Sequence, residues 1–460
     1  MIKLKKYNRE NIIDKRITVI GLGISGKAAS ILANQLGAIV YASDSNSSEE
    51  IVSNAMELMH DHHIATETGI HTNKIYNSDL WIISPGVSAK SIIIKEAFNH
   101  NIPIVSEIEF ASWFTKFPII GITGSNGKTT TTYILNQMFK ASQSVGVIGG
   151  NIGIPFSECI LKEILQPSKN LVYLLEISSF QLEFISSFRP YLSIYTNISE
   201  DHLDRHYSMK EYVKMKLRLL ENCKKNNTVV FNEDDDTLKS IFHNSLLKKS
   251  TFGIKSSNHT FYLKNDAIYH SVSDKKIIKI KDIKLKGKHN LLNFLAAATC
   301  ADIYGVKIED IKNVFKTFKG IPHRIEYVTT IMGVEYINDS KATNINSVIV
   351  AIKTYNKPII LLLGGVNKGI DFGLLIPHIK CSSIKTILAY GEAGEQIKSA
   401  LGDAVRLFIV NDLNSAVKNA HSIAQPGDVV LLSPGCASFD QFKNFEDRGD
   451  FFKSKVKALS

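Results

Sequence analysis

A chain of 460 residues is long enough for about three domains, each with its own buried core. With 44% hydrophobic and 21% charged residues, 28 Gly and 11 Pro, it is neither disordered, collagenous nor coiled-coil in composition. Lys and Arg number 54 against 44 Asp and Glu, a net charge of +10, which favours anionic partners without choosing among nucleic acid, lipid headgroups and small phosphorylated or carboxylated molecules.

In chain order, residues 17–23 (ITVIGLG) read as a buried strand entering a glycine turn, 25–36 as a helix and 38–44 (AIVYASD) as the next strand. LWIISPG and IPIVS supply later strands of the same unit, and a break over 106–117 separates it from a new strand, PIIGITGS, with a second glycine loop and a helix from Lys128. LVYLLE, LSIYTNIS and TVVFNED continue this second unit. Its tail holds the lysine-rich run 275–288, expected as an edge strand with a solvated face, and a helix over 290–305. That run has no aromatic platform, so nucleic acid is not its expected partner. VEYIND, PIILLLGG, IKTILAYG, VRLFIVND and DVVLLSPG are five apolar strands of a third unit, whose last helix is expected from Ser438. The alternation predicts an α/β protein of three domains, 1–106, 107–320 and 321–460, with a Rossmann-like first unit, a P-loop ATPase-like centre and a Rossmann-like third unit.

Cys159, Cys223, Cys300, Cys381 and Cys436 are scattered without a CxxC pair, so no disulfide framework or zinc site is expected and a reducing cytoplasm fits. No signal-peptide core or run of about 18 apolar residues occurs, and a soluble cytoplasmic protein is expected.

Two glycine loops carry the chemistry. Gly21, Gly23 and Gly26 form GxGxxG between a strand and a helix, with Asp44 at the end of the next strand. This is either a site for a phosphate-bearing ligand, with Asp44 on a ribose hydroxyl or base N–H, or a plain tight turn. The second loop, GITGSNGKTTTT, is more specific: backbone N–H groups of Gly124, Ser125, Asn126 and Gly127 can cradle phosphates, Lys128 adds a point charge, and Thr129 can ligate Mg²⁺. Ile122 occupies the place of the first glycine of GxxxxGK, so the loop is a variant. A dehydrogenase would need only the first loop and a simple NTPase only the second.

The ordered motifs GITGSNGKTT, LEISSFQLE, TNISEDHLDRH, GKHNLLN, GIPHR, INDSKATN and LSPGCASFDQF resemble the Mur ligases that build the peptidoglycan stem peptide, over essentially the whole chain. The last two, with LLLGGVNKGIDF, resemble the D-glutamate-adding branch. This resemblance implies ATP- and Mg²⁺-dependent amide formation through an acyl phosphate on a UDP-linked muramoyl-L-alanine. It places the UDP part of the substrate against Leu22 to Gly26, including Ile24 and Ser25, with Asp44 and Ser84, and has Asn151 contact the same substrate from the central domain. It places ATP on the loop from Gly124 to Thr130 and on Asn290, Asn293, Arg324, Asp339 and Lys341, and D-glutamate on Thr343, Lys368, Ser438, Phe439 and Phe445. Catalysis would fall to Lys128, Glu176, His202 and Lys216, and the metal to Thr129, Glu176, His202 and a carbamylated Lys216. Read without the resemblance, Lys216 in EYVKMKLRL is a solvated surface lysine. Gly435 stands where alanine is expected, and Lys27 is an unusual charge after the first loop.

The extra N-terminal unit argues against a folylpolyglutamate-type synthase, and Lys128, Glu176 and His202 together argue against a nucleotide-gated regulatory protein. Small-molecule substrates, a monomer, no nucleic acid and no stable membrane binding are expected. The third domain is expected to close on the second about a hinge at 320–322.

Overall fold

Strands covered on both faces need side chains that shed water on both, and the apolar runs of the sequence accordingly become the inner strands of parallel sheets. The computed structural model describes residues 6–142, 144–199, 206, 208–367 and 369–459. The chain divides into two units, Met1–Lys319 and Gly320–Ser460.

The first unit opens with the strands β1 (Arg16–Ile20), β2 (Ile39–Asp44), β3 (Ala65–Thr68), β4 (Leu80–Ile83) and β5 (Ile104–Ser106). They form a parallel sheet of order β3-β2-β1-β4-β5, whose switch in direction lies between β1 and β4. A second parallel sheet follows, from β6 (Ile119–Thr123), β7 (Val145–Gly150), β8 (Leu171–Glu176), β9 (Leu192–Tyr195), β10 (Thr228–Asn232) and β11 (Lys248–Phe252). Its order is β11-β10-β9-β6-β8-β7, so β6 lies between β8 and β9. In both sheets the glycine loop leaves the C-terminal end of a strand beside the switch point, the place where an open α/β sheet leaves a crevice.

The expected break over 106–117 is instead occupied by the helix Glu107–Ser112, five of whose residues are buried. Its two carboxylates hide the signal, because they look solvated in sequence yet serve as internal caps. Glu109 accepts the amides of Ser186 and Ser187 at 2.9 Å and of Phe188 at 2.6 Å, and the Trp113 indole N–H at 2.7 Å. Glu107 accepts the Ser157 amide at 2.5 Å, while its other oxygen is buried with no partner. Burial pushes the Glu107 carboxyl up to about 7. Between its unfolded value of 4.5 and about 7 the folded chain binds the extra proton, so this group's contribution to stability falls as pH rises through that window. Glu107→Gln should therefore gain unfolding free energy over the wild type as pH is raised from about 5 to about 8, approaching about 3 kcal/mol at the alkaline end, which denaturant titrations across the pH series would read. A gap that stays constant across the series would show that the carboxyl does not titrate in this window.

The lysine-rich run forms a strand only over β14 (Lys275–Lys279), the edge of an antiparallel sheet with β12 (Phe261–Lys264) and β13 (Ala267–His270). Ile280–Asp282 then turns as a 3₁₀ helix, because Ile277 and Ile278 both bury and strict alternation is lost. The helix Lys288–Ile303 packs on the central sheet.

The second unit has six strands rather than five: β15 (Glu326–Ile331), β16 (Val334–Asn338), β17 (Ile359–Gly364), β18 (Ile384–Tyr390), β19 (Leu407–Val410) and β20 (Val429–Gly435). The order is β15-β16-β20-β17-β18-β19, parallel except for β15 against β16. The last helix spans Phe445–Lys457, not from Ser438, because the Asn444 side chain accepts the Asp447 amide at 2.7 Å and caps it there. No helix among the described residues is long and apolar enough to cross a membrane.

Candidate active site

The loop between β6 and the helix Lys128–Lys140 is braced from the exit of β9. Asn197 accepts the Ser125 amide on its carbonyl and the Asn126 amide on its side chain, both at 2.9 Å, while Thr196 Oγ1 donates to the Asn126 carbonyl at 2.6 Å. Lys128 Nζ folds back over the loop, 2.9 Å from the Gly124 carbonyl and 2.8 Å from that of Ser125. One turn of helix carries Thr129 to Glu176, whose Oε2 accepts the hydroxyl at 2.8 Å. Glu176 ends β8 and is 2% exposed, and its Oε1 takes the Asn151 side-chain N–H at 2.8 Å. Thr129, Glu176 and Asn151 thus form one connected set, with Lys128 preceding Thr129 at the helix start; Thr130 follows, half-buried, in the same turn.

Lys216 overturns its unaided reading as a surface lysine. It is 2% exposed, donates from Nζ to the Gly124 carbonyl at 2.9 Å and lies 4.6 Å over the Tyr212 ring. The helix Met209–Leu217 is polar in composition, but Tyr212 and Lys216, four residues apart, turn one face onto the glycine loop. Tyr212 reaches Ser125 Oγ through its hydroxyl at 3.1 Å. His202 lies outside the described residues. In the same motif His206 is buried and bonds Ser179 Oγ at 2.9 Å.

Asn293 is buried against the loop, taking the Thr131 hydroxyl at 3.4 Å, while Asn290, half-buried, donates to the Lys286 carbonyl at 2.8 Å. Gly127 has φ 82° and lies so close to Asn293 that an added Cβ would collide with its Oδ1. Gly127→Ala combines left-handed strain with that collision. Turnover about tenfold or more lower, with a reduced melting temperature, is the expected outcome; an unaltered rate would show that the loop tolerates a shift.

In the first sheet, a cleft of about 570 Å³ opens at the switch point and is lined by Gly21, Gly23, Asp44, Ser84 and His71 among others. Ile24, 66% exposed, and Ser25 begin the following helix outside its lining, and Asn151 lies in the central domain with Glu176. Asp44 serves the loop directly, accepting the Leu22 amide at 2.7 Å and the Asn46 amide at 2.8 Å. His71 had no local signal, since its partners come from β2 and β3. The unusual Lys27 pairs with Glu57 at 2.5 Å.

In the second unit, Asp339 is 4% exposed and accepts the Ile325 amide at 3.1 Å and the Ser433 hydroxyl at 2.8 Å; burial pushes its carboxyl up to about 7. Lys341 stands 5.8 Å over the Phe445 ring, Ser438 is buried, and Arg324, Thr343 and Phe439 are exposed. Lys368 lies outside the described residues. The sequence reading missed Arg448, which is fully buried and ties two motifs together. It holds the Ser340 carbonyl at 2.9 Å and hydroxyl at 3.0 Å, and the carbonyls of Cys436 at 3.0 Å and Ala437 at 3.2 Å.

Oxygen donors suit a hard cation, and Thr129 and Glu176 present two in contact. No cluster of three or more His, Cys, Asp or Glu side chains exists among the described residues.

Three family models match in order: the MurD N-terminal domain over residues 16–93, the Mur ligase middle domain over 122–301 and the Mur ligase glutamate ligase domain over 323–436. The chain is 38% identical to the UDP-N-acetylmuramoylalanine–D-glutamate ligase of Caldanaerobacter subterraneus subsp. tengcongensis, over 97% of this chain and 99% of that one. It is 37% identical to the enzyme of the same name from Clostridioides difficile, over 97% and 99%. In fold it is similar to the UDP-N-acetylmuramate–alanine ligase of Thermotoga maritima (TM-score 0.54, 19% identity, 97% of this chain and 100% of that one). It is likewise similar to a pseudomurein peptide ligase of Methanothermus fervidus (TM-score 0.54, 18% identity, 97% and 100%).

Proposed function

Because the chain belongs to the Mur ligase family, we infer that it is an ATP-dependent ligase that joins D-glutamate to UDP-N-acetylmuramoyl-L-alanine, a step of peptidoglycan precursor synthesis. The observation that carries the chemistry is the contact of the phosphate loop with the end of β8, where Thr129 meets Glu176. A carboxylate is a poor acyl donor in water. The L-alanyl carboxylate therefore attacks the γ phosphorus of ATP, breaking its bond to the bridging oxygen and releasing ADP. The D-glutamate amine then attacks the acyl phosphate carbonyl, a proton leaves the nitrogen, and phosphate departs as the amide forms.

In this reading the amides of the loop and Lys128 hold the β and γ phosphates and offset the charge that develops during transfer. Bound Mg²⁺ would add its charge against the same oxygens, held by Thr129 and Glu176 with His202 and a carbamylated Lys216. Asn151, on the other oxygen of Glu176, positions that carboxylate beside the acyl group. Asn290 and Asn293 take the adenine side of the loop. The cleft at Gly21, Asp44 and Ser84 takes the uridine diphosphate, with Ile24 and Ser25 at the helix start beside it. In the second unit, Arg324, Asp339 and Lys341 serve the nucleotide, and Thr343, Lys368, Ser438, Phe439 and Phe445 serve D-glutamate. The partners are small molecules.

Coupled measurement of ADP release tests the reading. Release beyond a single turnover is expected only when UDP-N-acetylmuramoyl-L-alanine and D-glutamate are both present, with one amide formed per ADP. Equal release with L-glutamate, or without the muramoyl substrate, would overturn it.

A further inference from the structure

The first-domain cleft contains a hydrogen-bond chain whose direction can be worked out. Glu67 accepts the Thr72 amide at 3.0 Å and the Thr72 hydroxyl at 2.7 Å, and these bonds with those of Ser43 and Tyr41 hold its carboxyl below the usual range against the opposing effect of burial. It is therefore an ionised acceptor. Ser43 Oγ lies 2.7 Å from Glu67 Oε1 and 2.7 Å from His71 Nδ1. A hydroxyl has one proton, and at that distance two unprotonated oxygens would repel, so Ser43 donates to Glu67. Its oxygen is then an acceptor toward His71, and Nδ1 must carry the hydrogen. Burial lowers the His71 pKa, against Asp44 and Glu67, which raise it, and the ring is neutral at physiological pH. A neutral imidazole protonated on Nδ1 has a bare lone pair on Nε2. His71 lines the cleft together with Asp44, Ser45 and Asn46 and the apolar Val87, Ile92 and Ile93.

From this geometry we propose that His71 is the residue that selects uracil, its Nε2 accepting the N3–H of the base while Ser43 and Glu67 lock the tautomer. The proposal rests on the reading of this cleft as the uridine diphosphate site. Uracil carries a hydrogen on N3, whereas cytosine carries a lone pair there. A fixed acceptor therefore attracts the first and repels the second, and a site built around a particular hydrogen bond discriminates more sharply than an apolar wall. Asp44 accepts the Leu22 and Asn46 amides, one on each oxygen, and its remaining lone pairs can serve the ribose while His71 takes the base.

Calorimetric titration of the full chain with UDP and with CDP provides the test. The wild type should bind UDP at least about tenfold tighter than CDP. His71→Ala should lose about tenfold in UDP affinity while CDP affinity holds or rises, since the repelling lone pair is gone. His71→Gln, whose amide can turn either an acceptor or a donor to the base, should bring CDP to within about threefold of UDP. Nitrogen-15 spectra of the histidine rings, with His71 assigned by its loss in the variant, should show the Nδ1–H tautomer, with Nε2 shifting when UDP is added. An unchanged UDP to CDP ratio in both variants, or an Nε2–H tautomer, would overturn the assignment. Ser84→Trp, which fills the cleft, separates the two readings: UDP binding that survives it removes the site and His71 with it, whereas binding lost in Ser84→Trp with an unaltered ratio in the His71 variants removes His71 alone.

Discussion

Lys216→Ala should abolish most turnover, by about 10²- to 10³-fold, the size of effect seen when one transition-state charge contact is removed, and a short carboxylate such as acetate should restore part of it. A lysine that is 2% exposed is costly to keep as an ammonium, since burial disfavours the charged form. Carbamylation replaces that cation with a neutral nitrogen bearing a carboxylate. The nitrogen keeps one hydrogen, so the bond to the Gly124 carbonyl, 2.9 Å from Nζ, survives the modification, while the new carboxylate adds oxygens beside the phosphate loop. In the alanine variant the space of the side chain is open and acetate can enter it. Full activity without added carboxylate, or an inactive variant that acetate never rescues while its melting temperature matches the wild type, would show that no carboxylate is required at this position.

Lys216 also marks a limit of sequence reading. Its partner Gly124 is 92 residues away in sequence, and nothing in EYVKMKLRL distinguishes a buried lysine from a solvated one. The same holds for His71, whose orientation comes from Ser43 and Glu67, and for Arg448, whose four bonds reach 11 or more residues away. What could be read locally was read well. The strands LVYLLE and PIILLLGG are central in their sheets, and a strand buried on both faces leaves a continuous apolar run. β15 escaped because it is an edge strand of sequence EYVTTI, mostly half-exposed, with only Ile331 buried. The helix Glu107–Ser112 escaped because its two glutamates, normally a sign of solvent, are the groups it buries. The phosphate loop stood out in sequence because strand, glycines, lysine and hydroxyl are consecutive. The contact of Thr129 with Glu176 did not, because it spans 47 residues and depends on β8 lying next to β6.

Lys128→Ala should leave the fold intact and cost about 10²- to 10³-fold in kcat. The side chain starts the helix Lys128–Lys140, where alanine is the best helix former, so no loss of helix is expected. Its amine donates to the backbone carbonyls of Gly124 and Ser125. When triphosphate occupies the loop, the phosphate oxygens offer that ammonium a far stronger partner than the two neutral carbonyls, and the helix N-terminus adds its own positive end. The charge on the transferred phosphoryl group is greatest in the transition state, so the loss should fall more on kcat than on KM for ATP. Stopped-flow measurement of the first turnover would separate the phosphoryl transfer from later steps, and thermal melting would verify the fold. A variant that releases ADP at close to the wild-type rate would mean that Lys128 does not touch the nucleotide and that the loop after β6 is not the ATP site. A variant with normal kcat but a raised KM would place Lys128 in ground-state binding alone, removing it from the chemical step while leaving the loop as the nucleotide cradle.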